Sequence, residues 1–226
     1  VTKERAEQIA TEQGYPVGRR QMRELKERVA DELRTRAFSR RSSTCAWLDP
    51  QNKLLVVDAA APAKAEELVA TLRDTIPNFG AILLETEKSP AVSMSAWLMF
   101  GDAPGHFNIE QDLELQSVKD EKSIVRYVRH PLEGKEVQKH ISSGKAPTKL
   151  GMSWNGRIAF ILTSEFQIKR LQFLDIVKDR SEGQAQAAEE QFEIDFALMT
   201  GELSNLLQEL VEQLGGDVKT GAQVAA

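Results

Sequence analysis

An Asn-Gly dipeptide between two β-type runs constrains the fold of this chain more than any other feature. Residues 149–154 precede Asn155 and Gly156, and residues 158–163 follow them. Asn and Gly tolerate the positive φ angles that a tight turn between antiparallel strands demands. The pattern therefore predicts a β-hairpin over residues 149–163, the clearest hairpin in the chain.

Helix and strand patterns alternate irregularly along the rest of the sequence. Apolar periodicity and capping signals predict helices at 3–13, 19–35, 62–76, 90–100 and 131–143. Strand patterns occur at 44–48, 53–57, 81–85 and 167–173, with two more strands within 111–128. Such an order favours an α+β fold, with antiparallel sheets and packed helices, over a doubly wound parallel sheet.

Four regions follow from these patterns. They are a helical hairpin at 1–41, an α+β region at 42–121, a β-rich basic region at 122–184 and a long C-terminal helix region at 185–226. We expect the hairpin to project from the body. On its second helix Arg19, Arg23, Lys26 and Arg34 fall within a sector of about 80°.

The C-terminal region carries one strong apolar seam. Its members are Phe192, Phe196, Met199, Leu203, Leu206 and Leu210. Steps of three and four residues predict a long amphipathic helix, which Gly215 and Gly216 would end. A core helix is the favoured interpretation of this seam, and a partner-binding surface is the alternative.

The distribution of charge says more than its total. A net charge of −5 alone argues against nucleic-acid binding. However, residues 1–41 carry +4 and residues 122–170 carry +7, whereas residues 42–121 and 171–226 carry −8 each. A fold that brings the basic segments onto a surface could bind a polyanion despite the acidic total. The low aromatic content, 6%, favours contact with a duplex backbone over stacking on single-stranded bases.

Catalytic signatures are weak. The sequence contains no Gly-rich phosphate loop, and His106, His130 and His140 lack metal-ligand spacing. Cys45 lies in a strand-like run and is expected to be a buried structural thiol. Asp49 and Asp58 bracket a predicted hairpin and could bind Mg²⁺ in a nuclease, although turn residues are the favoured interpretation. The longest apolar run, residues 96–100, is far too short for a membrane helix.

Three groups of motifs resemble the RdgC family of bacterial recombination-associated proteins. The first is Arg36-Ala37-Phe38-Ser39-Arg40 with Trp47-Leu48-Asp49 and Leu55-Val56-Val57-Asp58. The second runs from Lys149-Leu150 through Ser153-Trp154 and Arg157-Ile158 to Lys169-Arg170-Leu171. The third and most specific is Asp195-Phe196-Ala197-Leu198-Met199-Thr200-Gly201-Glu202-Leu203. The resemblance extends over about residues 1–216, without the family's N-terminal region.

The resemblance implies a non-enzymatic protein that needs no metal or cofactor. Family members are cytoplasmic and nucleoid-associated, and they bind double-stranded DNA with little sequence preference. They form a ring-shaped homodimer around DNA, with basic side chains lining the hole, and they limit access of the RecA recombinase. No membrane association is expected.

The resemblance and the basic segments together define candidate site residues. Those expected to contact DNA are Arg19, Arg20, Arg23, Lys26, Arg34, Arg36, Arg40, Arg126, Lys149, Lys169 and Arg170. Those expected at subunit contacts are Phe38, Arg129 and His130, and His130 differs from the residue typical of the family. Two other functions stay open: a Mg²⁺-dependent nuclease using Asp49 and Asp58, and a protein-interaction module without DNA affinity that acts through the C-terminal seam.

Overall fold

The computed structural model describes residues 1–38, 42–120, 122–132, 134–174 and 188–218. The chain divides into two compact units, Val1–Ser43 and Thr44–Ala226, which we call the helical unit and the body. All strands of the described residues lie in the body, and every strand pairing is antiparallel. The predicted α+β fold with antiparallel sheets and helices is confirmed.

Two helices make up the helical unit. They are α1 (Thr2–Gln13) and α2 (Arg19–Arg36). Gly14 ends α1 with φ 77°, a conformation that glycine adopts without steric cost. The buried apolar residues between the helices are Ala6, Leu25 and Val29. The Arg5 guanidinium on α1 donates two hydrogen bonds to the Glu32 carboxylate on α2, at 2.6 and 3.0 Å. A small core and one bidentate ion pair therefore hold α1 against α2.

The body contains the remaining elements. In chain order these are β1 (Cys45–Asp49), β2 (Leu54–Asp58), α3 (Pro62–Thr75), α4 (Pro90–Phe100), β3 (Phe107–Ser117), β4 (Ile124–Tyr127), α5 (Lys135–Ser142), β5 (Lys145–Trp154), β6 (Ile158–Thr163), β7 (Ile168–Phe173) and α6 (Ala188–Gln213). Strands β1 and β2 form a two-stranded sheet, and the other strands form a five-stranded sheet in the order β4-β3-β5-β6-β7.

The predicted hairpin is the centre of the five-stranded sheet. Asn155 and Gly156 join β5 to β6 with φ angles of 52° and 63°, as a tight turn between antiparallel strands requires. Leu150 and Met152, two residues apart on β5, are both fully buried. Because side chains alternate along a strand, Lys149 and Gly151 lie on the opposite side, which we call the outer face.

Helices cover the inner face of the sheet. Residues of α4, α5 and α6 join those of β3, β5 and β6 in one buried apolar cluster. Within α6 the predicted seam splits into two parts. Leu203, Leu206 and Leu210 are buried in this cluster, whereas Phe192 and Phe196 stack on each other at 6.0 Å and stay exposed. The C-terminal half of the seam is therefore a core helix, as favoured.

Three predictions for the body are wrong. Residues 81–85 form no strand, and Ile82 and Leu83 are 70% and 80% exposed, because none of the described strands pairs with this apolar run. The Cys45 thiol is exposed, because the two-stranded sheet leaves that position at the surface. The helix predicted from residue 131 begins only at Lys135, after Gly134 as its N-cap.

Candidate nucleic-acid interface

The basic residues of α2 are paired with acidic residues one turn away. Arg20 contacts Glu24 at 3.2 Å, and Arg23 contacts Glu27 at 3.3 Å. Arg34 likewise contacts Asp31 at 2.9 Å. Such exposed pairs on a helix stabilise it by only about 0.3–0.5 kcal/mol each, so phosphate groups could replace the carboxylates at little cost.

Other predicted contact residues of the helical unit differ in their surroundings. Arg19 and Lys26 make no hydrogen bond or ion pair with the part of the chain that the structure describes. The Arg5 guanidinium is the main cause of the lowered pKa of the Glu32 carboxyl, and the charge of Arg36 adds to this effect. Arg40 lies outside the described residues.

Strand register places three predicted contact residues on the outer face of the sheet. Arg126 of β4 and Lys149 of β5 are both paired with Glu114 of β3. Gly151 pairs with Ile161 of β6, which in turn pairs with Lys169 of β7. Paired residues point to the same face of a sheet. Arg126, Lys149 and Lys169 therefore lie on the face opposite the buried core, although they are far apart in sequence.

Glu114 is the common partner of two of these cations. Its carboxylate accepts a hydrogen bond from Arg126 Nε at 2.6 Å and contacts Lys149 Nζ at 3.0 Å. The Thr148 hydroxyl donates to the same carboxylate at 2.8 Å. Burial alone raises the pKa of the Glu114 carboxyl, but these three donors outweigh that effect and lower the pKa to about 2. Glu114 is therefore ionised at every physiological pH.

Asp112 is a second acidic group on this face. Gly151 has no side chain, and a Cβ added there would lie 3.2 Å from the Asp112 Cβ. Arg170, which has φ 52° beside an irregularity in the β6–β7 pairing, reaches Asp112 with a 4.0 Å ion pair. All four basic residues predicted in the sheet thus stand on its outer face, and three of them are paired with acidic residues of β3.

The predicted subunit-contact residues occupy two exposed places. The Phe38 side chain, just beyond α2, is fully exposed. Arg129 and His130, beyond β4, are also exposed. Arg129 has φ 51° and donates its backbone N–H to Asp112 at 3.0 Å. The His130 ring lies 5.6 Å from that of Tyr127.

The two aspartates of the nuclease hypothesis do not form one site. Asp49 pairs with Leu54 and Asp58 pairs with Cys45, so the carboxylates stand at opposite ends of the two-stranded sheet. Four residues of strand span about 13 Å, whereas the oxygen ligands of one Mg²⁺ each lie about 2 Å from it. Asp49 instead accepts a hydrogen bond from Ser204 of α6 at 2.6 Å. That bond, with those from Asn52 and Gln51 in the turn, lowers the pKa of Asp49 to about 2.

No three His, Cys, Asp or Glu side chains of the described ranges come together as a candidate metal site. None of the described helices combines the length and apolar character of a membrane span.

Comparison with known proteins agrees with the motifs. Residues 1–217 match the family described as "Putative exonuclease, RdgC". The chain belongs to the RdgC family. The recombination-associated protein RdgC of Dechloromonas aromatica is 52% identical over 219 residues, which are 96% of this chain and 72% of that protein. Those of Cupriavidus necator and Burkholderia orbicola are each 45% identical, over 97% and 100% of this chain and 73% and 74% of their own lengths. The predicted family is confirmed, and with it a place among recombination-associated proteins.

Glu114 and Thr148 were not singled out by sequence reasoning. One available signal was the spacing of Glu110, Asp112 and Glu114, because acidic residues at every second position of a strand share one face. Their pairing with Arg126 and Lys149 depends on strand register, which no local pattern in the sequence specifies.

Proposed function

We propose that this RdgC-family chain binds double-stranded DNA through its phosphate backbone, with little sequence preference. The alignment of Arg126, Lys149, Lys169 and Arg170 on the outer face of the sheet carries this proposal. Arginine and lysine side chains neutralise phosphates and release counterions, whatever the base sequence. The exposed arginines of α2 supply a second basic surface of the same kind.

The proposed assembly is a homodimer that closes into a ring around DNA, with the helical unit as a projecting hairpin. Two different isologous contacts between two chains are sufficient to close such a ring. Phe38 supplies one contact, since a fully exposed aromatic side chain suits burial against a second chain. Arg129 and His130 supply the other. Phe38→Ala should then shift the species measured by analytical ultracentrifugation towards monomer, and an unchanged dimer would argue against this contact.

The proposed role in the cell follows from this mode of binding. A protein that occupies duplex DNA without sequence preference limits access of the RecA recombinase, which fits relatives named as recombination-associated proteins. Nucleoid association in the cytoplasm is part of the same proposal. Purified protein added before RecA should slow strand exchange, and addition after RecA has assembled should have less effect.

A gel-shift salt series on linear and circular duplexes tests the binding itself. The logarithm of the binding constant should fall by about 0.9 per phosphate contact for each tenfold increase in salt. Lys169→Gln should reduce the size of this slope by about 0.9, the value expected for the loss of one phosphate contact. Lys64→Gln on α3, which removes a lysine paired with Glu67 at 2.6 Å, serves as the matched control. Affinity that hardly changes with salt would overturn the proposal, and a closed ring should retain circles differently from linear DNA.

The family description favours one second candidate, an exonuclease. The register of β1 with β2, which places Asp49 and Asp58 at opposite ends of that sheet, argues against a Mg²⁺ site shared by the two. Incubation of purified protein with end-labelled duplex and Mg²⁺ tests the activity. Degradation that Asp58→Ala abolishes would favour the nuclease, and intact DNA would favour the binding protein.

The interaction module without DNA affinity is the least supported alternative. The C-terminal half of its seam, including Leu206 and Leu210, is buried in the body's own core. It predicts a dimer with no DNA affinity at low salt, and the same gel-shift series would detect that result.

A further inference from the structure

Three side-chain donors on the outer face converge on one carboxylate. Glu114 lies on β3, between Arg126 on β4 and Lys149 on β5, and is the register partner of both. The Thr148 hydroxyl adds a neutral donor at 2.8 Å. A guanidinium, an ammonium and a hydroxyl around a pair of anionic oxygens are also the donors that bind a phosphate group.

Exposure distinguishes the cations from their counterion. The side chains of Arg126 and Lys149 are 64% and 43% exposed, whereas that of Glu114 is only 14% exposed. The carboxylate therefore lies beneath the cations, which remain open to a ligand from solvent. Both cations are therefore accessible to a phosphate group from solvent.

We propose that Arg126, Lys149 and Thr148 form a phosphate subsite on the outer face, and that Glu114 is its resident counterion. A DNA phosphate binds there by taking over the two cations from the carboxylate. This inference rests on the proposed function and adds to it a specific restraint. Glu114 lowers the affinity for a polyanion, and so keeps binding weak enough for the protein to leave DNA.

The same pattern recurs along the strand. Asp112, two residues before Glu114, faces Arg170 at 4.0 Å. A Cβ added to Gly151 would approach the Cβ atoms of both Asp112 and Glu110, at 3.2 and 3.3 Å, which places both acids on the outer face. Two acids of β3, Glu114 and Asp112, thus contact cations of neighbouring strands on this face, as expected if β3 moderates anion binding.

Glu114→Gln is the decisive variant, because it removes the charge but keeps the shape and an acceptor for Thr148. Its control is Glu66→Gln on α3, an exposed glutamate without a hydrogen bond or ion pair among the described residues. Relative to this control, Glu114→Gln should raise the affinity for a short duplex about two- to fivefold, the size expected when two partly exposed ion pairs are released. Adding Lys149→Gln to Glu114→Gln should abolish the gain.

Inorganic phosphate provides a readout that does not depend on DNA. Sodium phosphate should raise the thermal unfolding temperature of Glu114→Gln more than that of Glu66→Gln, with sodium chloride at equal ionic strength as the reference. If the gain appears with phosphate while no form of the protein binds duplex, the subsite stands and the proposed function fails. If the wild type binds duplex but Glu114→Gln matches Glu66→Gln in both assays, this inference is overturned and the proposed function stands.

A second pair of variants covers the case in which Glu114→Gln does not fold. Lys149→Gln should lower the slope of affinity against salt by about 0.9 per lost phosphate contact. Lys64→Gln, which also removes a lysine from an ion pair, should leave the slope unchanged. Equal slopes for these two variants would overturn the subsite.

Discussion

The helical unit and the body hold their basic residues in different ways. The ion pairs along α2 join residues three or four positions apart on one exposed helix. On the outer face of the body, Arg126 and Lys149 reach a carboxylate on a third strand, and the sheet register fixes all three. The first arrangement can lose or shift a charge with little consequence, whereas the second depends on the fold.

The cores differ in the same direction. Only three buried apolar residues pack between α1 and α2, whereas in the body one large buried cluster joins three helices, α4, α5 and α6, to the five-stranded sheet. We therefore expect the body to set the stability of the chain and the helical unit to open more readily.

Leu150→Ala should lower the free energy of unfolding of the body by about 3 kcal/mol, since it leaves a cavity beneath a fully buried side chain. Urea denaturation followed by tryptophan fluorescence measures this change. Leu25→Ala in the helical unit is the matched variant, and it should speed amide exchange in α1 and α2 with little effect on the urea midpoint of the body. Equal shifts of that midpoint would show that the two units unfold together.

Acid should weaken the network around Glu114 more than the pair between Arg5 and Glu32. The pKa of Glu114 is lowered from 4.5 to about 2, so its stabilisation is complete above pH 4.5 and is lost as the pH falls towards 2. After allowance for screening of its exposed partners, about 1–2 kcal/mol should disappear over this range. Glu114→Gln should lack that part of the pH dependence in acid titrations, and Glu66→Gln should retain it. If the stability of both variants fell equally between pH 4.5 and pH 2, the ion pairs of Glu114 would not contribute to the stability of the fold.

Substitution of arginine by lysine should separate the two basic surfaces in DNA binding. Arg126→Lys removes the planar guanidinium, which can donate two hydrogen bonds to one phosphate, and should weaken duplex binding about threefold. Arg23→Lys keeps the charge on an exposed helix whose pairs are local, and should change the affinity by less than about twofold. Fluorescence anisotropy with one labelled duplex compares the two. A larger loss for Arg23→Lys would show that DNA binding depends more on the guanidinium groups of α2 than on Arg126.

Local signals were sufficient for much of the fold. Asn155 and Gly156 determine their own turn, and Ser89, just before Pro90, caps α4 by accepting a hydrogen bond from the Val92 N–H. The seam of α6 likewise identified Leu203, Leu206 and Leu210 as core residues. In each case the determining interactions lie within a few residues or along one helix face.

Long-range neighbours decided the features that were missed. Residues 81–85 have the composition of a strand, but a strand also needs a partner with a free edge. Whether Cys45 is buried or exposed depends on what covers the two-stranded sheet, and nothing in its local sequence specifies that. The contacts of Glu114 depend on the register of β3 with two other strands. The basic side of the candidate site could thus be predicted from charge and resemblance, whereas its acidic side required the tertiary structure.

The smallest expected effect concerns the start of α2. Gly18 is its N-cap, with φ −68° and ψ 162°, and no side chain caps the helix. A serine adopts these angles readily, and a Cβ there would meet no atom within 4 Å. Gly18→Ser should therefore stabilise the first turn by a few tenths of a kcal/mol, because the serine hydroxyl can accept a hydrogen bond from a backbone N–H of that turn.

Amide hydrogen exchange at residues 20–22 measures this gain in the intact chain. Gly80→Ser, in a loop where a Cβ also meets no atom within 4 Å, is the control and should leave α2 unchanged. Slower exchange confined to α2 would show that the helical unit responds to a single local contact. Slower exchange throughout the body as well would mean that the two units share one cooperative unfolding transition. The helical unit and the body would then differ only in how their ion pairs are held, by local helix spacing in α2 and by strand register on the outer face.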